Sequence, residues 1–308
     1  MTQPPKNTRA IPQEAFDWYD DYAHGKIDRR TFLARLAGLS ALGFSAAMIS
    51  QALLPNYAQA EQVSFNDPDI KAQYQSFPSS NGHGEGRGYL VAPSNIRVKA
   101  PTVLVIHENR GLNPYIKDVA RRLAKQGFIA FAPDALHPVG GYPGNDDEGR
   151  KLQRAMDAGK LEADFIAAAR YVKQFELSSG QLGAVGFCYG GYIVNMLAAR
   201  MAEELDAGVA FYGTPAAAKL RDRVRGPLML HFAELDARVN QTWPDYQQTL
   251  EAANAQYVAH HYANANHGFH NDSTARYDQD AAELAWMRTL AFFDEHLRPT
   301  AANASPAG

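Results

Sequence analysis

Residues 182–202 read LGAVGFCYGGYIVNMLAARMA, and this stretch decides the fold. An apolar run at 182–187 enters the pattern Gly186-x-Cys188-x-Gly190, and a helical pattern follows directly. Side chains two residues either side of a tight turn would collide, so glycine at both positions has a steric reason. We therefore predict a strand, a sharp turn that carries Cys188, and a helix.

The position of Cys188 has chemical consequences. A lone cysteine is most often a small buried apolar residue. At the N-terminus of a helix, however, the helix dipole favours the thiolate form of a cysteine. The backbone N–H of Tyr189 would then point to where the oxyanion of a tetrahedral intermediate forms. The strand–turn–helix context therefore favours Cys188 as a nucleophile.

The rest of the chain alternates strand and helix patterns, which indicates one α/β domain with a mostly parallel sheet covered by helices on both faces. Apolar, β-branched runs occur at 88–92, 102–107, 128–132, 182–187, 207–212, 228–232 and 257–262. Helical patterns occur at 115–126, 147–175, 190–202, 244–254 and 275–297. We assign 1–60 to an N-terminal extension, 61–298 to the α/β domain and 299–308 to a disordered tail. Residues 61–86 are predicted to form a mobile lead-in or a hairpin loop.

An acid and a base follow later strands in the order expected for this strand–turn–helix arrangement. Asp236 lies in AELDARV, after the run at 228–232, and His267 lies in NANHGFHND, after the run at 257–262. Most such loop residues are merely solvated, and His270, His260 and His261 are alternative bases. Because the order and the strand-end positions agree, we predict a Cys188–His267–Asp236 triad.

Over about residues 75 to 297 the sequence resembles the dienelactone hydrolase family. The resemblance is carried by the strand–turn–helix elbow around Cys188, by Glu108 in VIHENRG, and by Asp236 and His267. The resemblance implies an α/β-hydrolase fold and a cysteine triad that opens an enol lactone through an acyl-enzyme, without a cofactor. It also implies that Glu108 pairs with the resting thiol until an acidic substrate displaces it. The backbone N–H of Asn109 would be the second oxyanion donor.

The substrate is less well indicated than the chemistry. Family members that open dienelactone hold its carboxylate with arginines, one of them four residues beyond the catalytic histidine, where this chain has Asn271. The candidate replacements are Arg110, Arg150, Arg154 and Arg276. We therefore expect a small-molecule ester, thioester or lactone. The Gly/Pro-rich loop at 137–147 is predicted to form a lid or pocket wall, with a plain surface connection as the alternative.

The N-terminal extension resembles a twin-arginine export signal. Residues 28–60 combine Arg29-Arg30 with a long Ala/Leu/Gly-rich stretch and end in the small-x-small pattern Ala58-Gln59-Ala60. The resemblance implies recognition by the twin-arginine export machinery, a periplasmic or otherwise exported protein, and no stable membrane span after processing. A retained membrane anchor or a buried amphipathic helix is the alternative. Residues 14–26 are predicted to form a short amphipathic helix, to which the sequence assigns no role.

Composition limits the remaining function classes. The net charge is −3 without basic runs, which gives no electrostatic footprint for nucleic-acid binding. A single cysteine excludes an intramolecular disulfide and a cysteine-rich metal site, and histidine spacing does not indicate a metal. Two alternatives to the hydrolase stay open: a non-catalytic ligand-binding protein on a hydrolase scaffold, and a redox-active thiol protein.

Overall fold

The computed structural model describes residues 11–39 and 45–298. The predicted tail at 299–308 and part of the apolar stretch of the predicted export signal, at 40–44, lie outside the described residues. The strands, β1 to β8, are Ile70–Ser79, Gly84–Pro93, Ala100–Ile106, Ile129–Pro133, Ser178–Phe187, Ala207–Phe211, Leu228–Ala233 and Tyr257–Tyr262. The α-helices of the described part, α1 to α11, are Gln13–Ala23, Arg29–Gly38, Ala46–Leu53, Tyr57–Ala60, Pro114–Lys125, Asp146–Ala155, Ala158–Lys173, Tyr189–Arg200, Ala237–Asn240, Trp243–Ala252 and Gln279–Leu297.

The eight strands form one sheet in the order β1-β2-β4-β3-β5-β6-β7-β8. The pairs from β4 through β8 are parallel, whereas β1–β2 and β2–β4 are antiparallel. Helices α5 and α11 supply apolar side chains to the core on one face, and α7, α8 and α10 supply the core on the other. The predicted fold is therefore confirmed: a mostly parallel sheet between two layers of helices.

Two parts of the α/β domain differ from the prediction. Strand β1 was missed, because it lies at the sheet edge and most of its side chains are polar and exposed, so no apolar run marks it. It forms a hairpin with β2, so the predicted hairpin loop is found at 80–83 and the predicted mobile lead-in is wrong. The helical pattern at 147–175 divides into α6 and α7. Met156 adopts an extended conformation, and Asp157 caps α7 by accepting a hydrogen bond from the N–H of Lys160.

The N-terminal extension has an apolar core of its own. Its helices α1, α2 and α3 bury a shared set of side chains: Ala15, Tyr19, Ala23, Phe32, Leu36, Leu39, Ile49 and Leu53. Helix α1 confirms the predicted amphipathic helix, and Asp28 begins α2 by accepting a hydrogen bond from the N–H of Thr31 at 2.7 Å. We call residues 13–38 the N-terminal arm. None of the helices within the described ranges is sufficiently long and apolar to cross a bilayer.

Candidate active site

Cys188 occupies a strained turn between β5 and α8. Its backbone φ of 56° lies in the left-handed region, which residues other than glycine rarely adopt. A Cβ on Gly186 would overlap the carbonyl oxygen of Gly190, and a Cβ on Gly190 would overlap that of Ile106. The predicted steric reason for both glycines is therefore confirmed. The turn places the sulfur at the N-terminus of α8, where the helix dipole favours negative charge.

Asp236 and His267 approach each other from the ends of β7 and β8. Asp236 begins α9, and its Oδ1 accepts a hydrogen bond from the N–H of Val239 at 3.1 Å. Its Oδ2 lies 2.5 Å from Nδ1 of His267, and both side chains are buried. The carboxylate therefore holds the imidazole in one orientation and tautomer, with Nε2 left for other partners.

The thiol lies close to this pair. Sγ of Cys188 and one ring nitrogen each from His267 and His24 lie within 4.8 Å of one another. Within the described part of the chain, Nε2 of His267 is buried and makes no hydrogen bond. The ring of Tyr212 packs against that of His267 with their centroids 4.9 Å apart. The predicted acid, base and nucleophile are thus brought together, although they are separated by tens of residues in the sequence.

The electrostatics of this cluster favour a thiolate beside an imidazolium. Burial by itself raises the pKa of the Cys188 thiol, but the charges of His267 and His24 outweigh burial and hold that pKa well below its ordinary value. Burial disfavours protonated His267, but Asp20, Asp236 and the thiolate together raise its pKa to about 10. A thiolate is the reactive form of cysteine, so the pair has the charge state that nucleophilic attack by a cysteine requires.

Residues of the N-terminal arm enter this site, which sequence reasoning missed. Nε2 of His24 lies 3.4 Å from Sγ of Cys188, and Nδ2 of Asn109 donates to the carbonyl oxygen of Ala23 at 2.9 Å. Asp20 lies 3.3 Å from Nε of Arg238. No motif joins the arm to a site more than 160 residues away, so the sequence offered no signal for His24 or Asp20. Arg238 stands two residues after Asp236, and that adjacency could have indicated it.

Glu108 is held differently from the implied resting state. Its Oε2 lies 3.3 Å from Nε of Arg110 and accepts a hydrogen bond from Nδ2 of Asn271 at 3.3 Å. Arg110 also pairs with Asp146 at 2.7 Å. The expected pairing of Glu108 with the thiol is therefore not what the structure has: the buried guanidinium of Arg110 holds the carboxylate, and His24 is the hydrogen-bonding neighbour of Cys188.

A pocket of about 410 Å³ opens beside the sulfur. Its wall includes Cys188, Tyr189, Asn109, His24, Tyr212, Arg238, Arg150, Arg154, Met156 and Leu161. Two of the predicted substrate arginines, Arg150 and Arg154, thus line it, whereas Arg110 is buried among carboxylates and Arg276 lies 3.7 Å from Asp20. The loop at 137–147 was predicted as a lid or wall. None of its residues lines this pocket, which agrees with the alternative of a plain surface connection, whereas Arg150 and Arg154 of α6 and the following Met156 do line it.

The same cluster offers atoms that a metal could bind. His24, Cys188 and His267 present two nitrogens and a sulfur, a combination suited to zinc or copper. However, Nη2 of Arg238 lies 3.3 Å from Nδ1 of His267, and a fixed positive charge there opposes a cation. The arrangement is better suited to negative charge on the substrate and on the reaction intermediate.

The family model for the dienelactone hydrolase family matches residues 87–297, more than half of the chain. The chain belongs to the dienelactone hydrolase family. The carboxymethylenebutenolidase of Pseudomonas putida is 30% identical over 228 residues, covering 70% of this chain and 94% of that protein. Protein usf of Aquifex pyrophilus is 33% identical over 223 residues, covering 68% and 94% respectively. A crystal structure from Klebsiella pneumoniae, assigned as a dienelactone hydrolase, aligns with a TM-score of 0.66 at 27% identity, covering 73% of this chain and 99% of that one.

Membership of the dienelactone hydrolase family makes this chain a hydrolase that acts on ester or lactone bonds of a small molecule. The N-terminal arm has a separate match, because the YqhI-like family model covers residues 3–41. The arm and the dienelactone hydrolase domain are therefore distinct sequence modules that meet at the active site.

Proposed function

We propose that this hydrolase cleaves its ester or lactone through a covalent thioester on Cys188, with His267 as the acid and base and Asp236 as its orienting carboxylate. The observation that carries the proposal is the arrangement of the three side chains. The His267–Asp236 hydrogen bond is 2.5 Å long, and the sulfur at the start of α8 lies within 4.8 Å of the same imidazole. Three loops at the ends of β5, β7 and β8 converge in the order typical of α/β-hydrolases.

The first half of the reaction forms the acyl-enzyme. The thiolate of Cys188 attacks the carbonyl carbon, and the oxyanion that results accepts hydrogen bonds from the backbone N–H groups of Tyr189 and Asn109. The carbon–oxygen bond then breaks, and protonated His267 donates its Nε2 proton to the departing alkoxide. In a lactone, the departing oxygen remains attached to the opened ring.

The second half releases the product. Neutral His267 removes a proton from water, and the resulting hydroxide attacks the thioester carbon. The carbon–sulfur bond breaks, the thiolate leaves and the acid product loses its proton to solvent. The site returns to thiolate and imidazolium, which is the pair that the shifted pKa values of Cys188 and His267 favour.

The wall of the pocket favours an anionic substrate. Arg150 and Arg154 line it together with apolar and aromatic side chains, so a carboxylate and a carbon skeleton can be bound side by side. We therefore expect acidic lactones to have the highest kcat/KM in a panel of acidic lactones, neutral lactones and p-nitrophenyl esters.

The test is turnover by Cys188→Ala on that panel. We expect a loss of at least about a thousandfold, because no other group supplies the attacking electron pair. His267→Gln should lose a comparable factor, whereas His261→Gln, on the exposed side of β8, is the matched control and should keep wild-type rates. Unchanged melting temperatures must accompany these losses. Wild-type turnover by Cys188→Ala would exclude the cysteine mechanism.

We also propose that residues 28–60 direct export by the twin-arginine route. Arg29 and Arg30 are exposed at the start of α2, and Ala58 is exposed near the predicted cleavage site, which is compatible with recognition and processing. Replacing both arginines by lysine should keep the protein in the cytoplasm in cell fractionation, whereas Arg35→Lys should not. N-terminal sequencing of exported protein should begin at Glu61. Export of the double variant at wild-type levels would contradict the proposal, and an unprocessed membrane-bound product would favour a retained anchor.

A further inference from the structure

The N-terminal arm lies across the reacting atoms of the site. His24 contacts Sγ of Cys188 at 3.4 Å, and the carbonyl oxygen of Ala23 accepts a hydrogen bond from the side chain of Asn109. Asn109 and Cys188 both line the pocket, and His24 lines it with them. His24 therefore covers one side of Sγ, at the wall of the pocket that an acyl group bound to the sulfur would enter.

A carboxylate of the arm is surrounded by positive groups of the hydrolase domain. Asp20 lies 3.3 Å from Nε of Arg238, 3.7 Å from Nη1 of Arg276 and 3.9 Å from Nε2 of His267. The Asp20 side chain is only 15% exposed. Nε2 of His267 is the atom that exchanges protons with substrate and water in the proposed mechanism, and Asp20 is its charged neighbour.

The contacts between arm and domain are polar, unlike the contacts within the arm. The apolar side chains of α1 and α2 pack in a cluster of their own, with Tyr19 and Phe32 at its centre. Toward the domain, the arm presents ion pairs, the hydrogen bond from Gln13 to Asn266 at 2.6 Å, and the ring of Tyr22 under the guanidinium of Arg150 at 5.1 Å. Contact surfaces of this polar kind allow two modules to separate without exposing a hydrophobic core.

We propose that the N-terminal arm is an internal competitor of the substrate: Asp20 and His24 occupy the site, and an anionic substrate binds only after the arm has moved away. The proposal rests on the function proposed above, and it adds that the arm restricts access to the nucleophile in the chain before cleavage. The cleavage before Glu61 proposed above for export would remove residues 13–38 and leave the nucleophile open. Because the arm is tethered to the domain, its local concentration is in the millimolar range typical of short linkers, and even weak contacts keep it bound. We call the state with the arm bound closed and the state with the arm moved away open. The observed affinity for substrate is then lower than the affinity of the open state, by a factor equal to the fraction of molecules that are open.

Access to Cys188 can be measured without any substrate. Iodoacetamide alkylates thiolates, and this chain has one cysteine, so intact-mass spectrometry reports that sulfur alone. The full-length variant Asp20→Asn/His24→Gln should be alkylated at least about tenfold faster than wild type, as expected if the closed state dominates. Glu14→Gln, an exposed carboxylate in the first turn of α1, is the matched control and should react at the wild-type rate.

The alkylation rates should be measured across a range of pH and compared at high pH, where the thiol is fully ionised and the rate no longer changes, because His24 also lowers the pKa of the thiol. The position of the pH midpoint then reports the thiol pKa, and the plateau reports access. Gln13→Ala, which removes the contact with Asn266 and a hydrogen bond to Asp17 within α1, is a milder variant and should fall between wild type and the double variant. Melting temperatures and circular dichroism establish that each variant is folded.

Hydrolysis of p-nitrophenyl acetate gives the second measurement. Under the proposal, the double variant should show a higher kcat/KM than wild type, chiefly through a lower KM. Equal plateau rates of alkylation in all variants would overturn the proposal, and so would a faster plateau accompanied by a lower kcat, because His24 would then be part of the catalytic machinery. If hydrolysis proves independent of Cys188, the proposed function fails, whereas the alkylation rates still decide whether the arm covers the thiol.

Discussion

The hydrolase domain and the N-terminal arm hold their parts of the site by different means. In the domain, Cys188, Asp236 and His267 follow strands of a sheet that is buried on both faces. The arm has a small apolar cluster of its own and reaches the site through Asp20 and His24. Both regions therefore place a carboxylate beside His267, but only one of these carboxylates is fixed by the sheet.

The difference teaches which part of the site can change. Asp236 cannot leave His267 without disturbing β7 and α9, because it also begins that helix. Asp20 is held by ion pairs with Arg238 and Arg276, and the apolar cluster of its own helix is separate from the core of the domain. Under the two proposals, the triad fixed by the sheet would carry out the chemistry, and Asp20 of the arm would control access to the thiol separately.

The largest effect should come from comparing core truncations in the two regions. Phe293→Ala removes a fully buried ring that packs on Phe128 and should cost about 3–5 kcal/mol of the free energy of unfolding. Leu36→Ala removes a fully buried side chain of the arm and should instead accelerate hydrogen exchange in the arm and in α3, which shares its apolar cluster, with faster alkylation of Cys188. Thermal unfolding and hydrogen-exchange mass spectrometry measure both. An equal drop in melting temperature for the two variants would show that the arm is integral to the domain.

A smaller effect should appear in the pH dependence of kcat/KM. The pKa of Cys188 is lowered, so the thiolate is present at neutral pH and activity is lost only as the pH falls through that lowered value. The pKa of His267 is raised to about 10, so the proton needed by the leaving group is lost as the pH rises through that value. Because the Asp20 carboxylate helps to raise the pKa of His267, Asp20→Asn should move the alkaline limb to lower pH. An unmoved alkaline limb, recorded under the same ionic strength with Glu14→Gln as control, would show that the arm does not influence the imidazole.

Much of the domain could be predicted because its signals are local. The glycines around Cys188 are required by collisions with Gly190 and Ile106 that any strand-to-helix turn of this kind would have. Buried strands such as β3 are apolar along their whole length and stand out in the sequence. Strand β1 was missed because an edge strand with exposed polar side chains has no such pattern. The break between α6 and α7 depends on two extended residues, Met156 and Asp157, in an otherwise helical pattern.

In the site, too, the residues with local signals could be predicted and the contacts between distant residues could not. Asp236 and His267 were predicted from their order and from their positions after β7 and β8. The state of Glu108 could not be predicted, since it depends on Arg110 and on Asn271, which lies 163 residues further along the chain. The sequence left the role of loop 137–147 open for a related reason: its composition suits a lid as well as a surface connection, and only the fold decides that α6 and the residues after it line the pocket.

The amino-acid sequence by itself determined the elbow at Cys188, the order of the acid and the base, and the alternation of strands and helices. These features depend on steric and hydrophobic patterns that operate within a few residues of chain. Only the tertiary structure decided that Asp20 and His24 lie against the nucleophile and that Arg110 holds Glu108. The physical reason is that ion pairs between distant segments leave no periodic trace in a sequence, because any exposed carboxylate or imidazole looks the same until folding places a partner beside it.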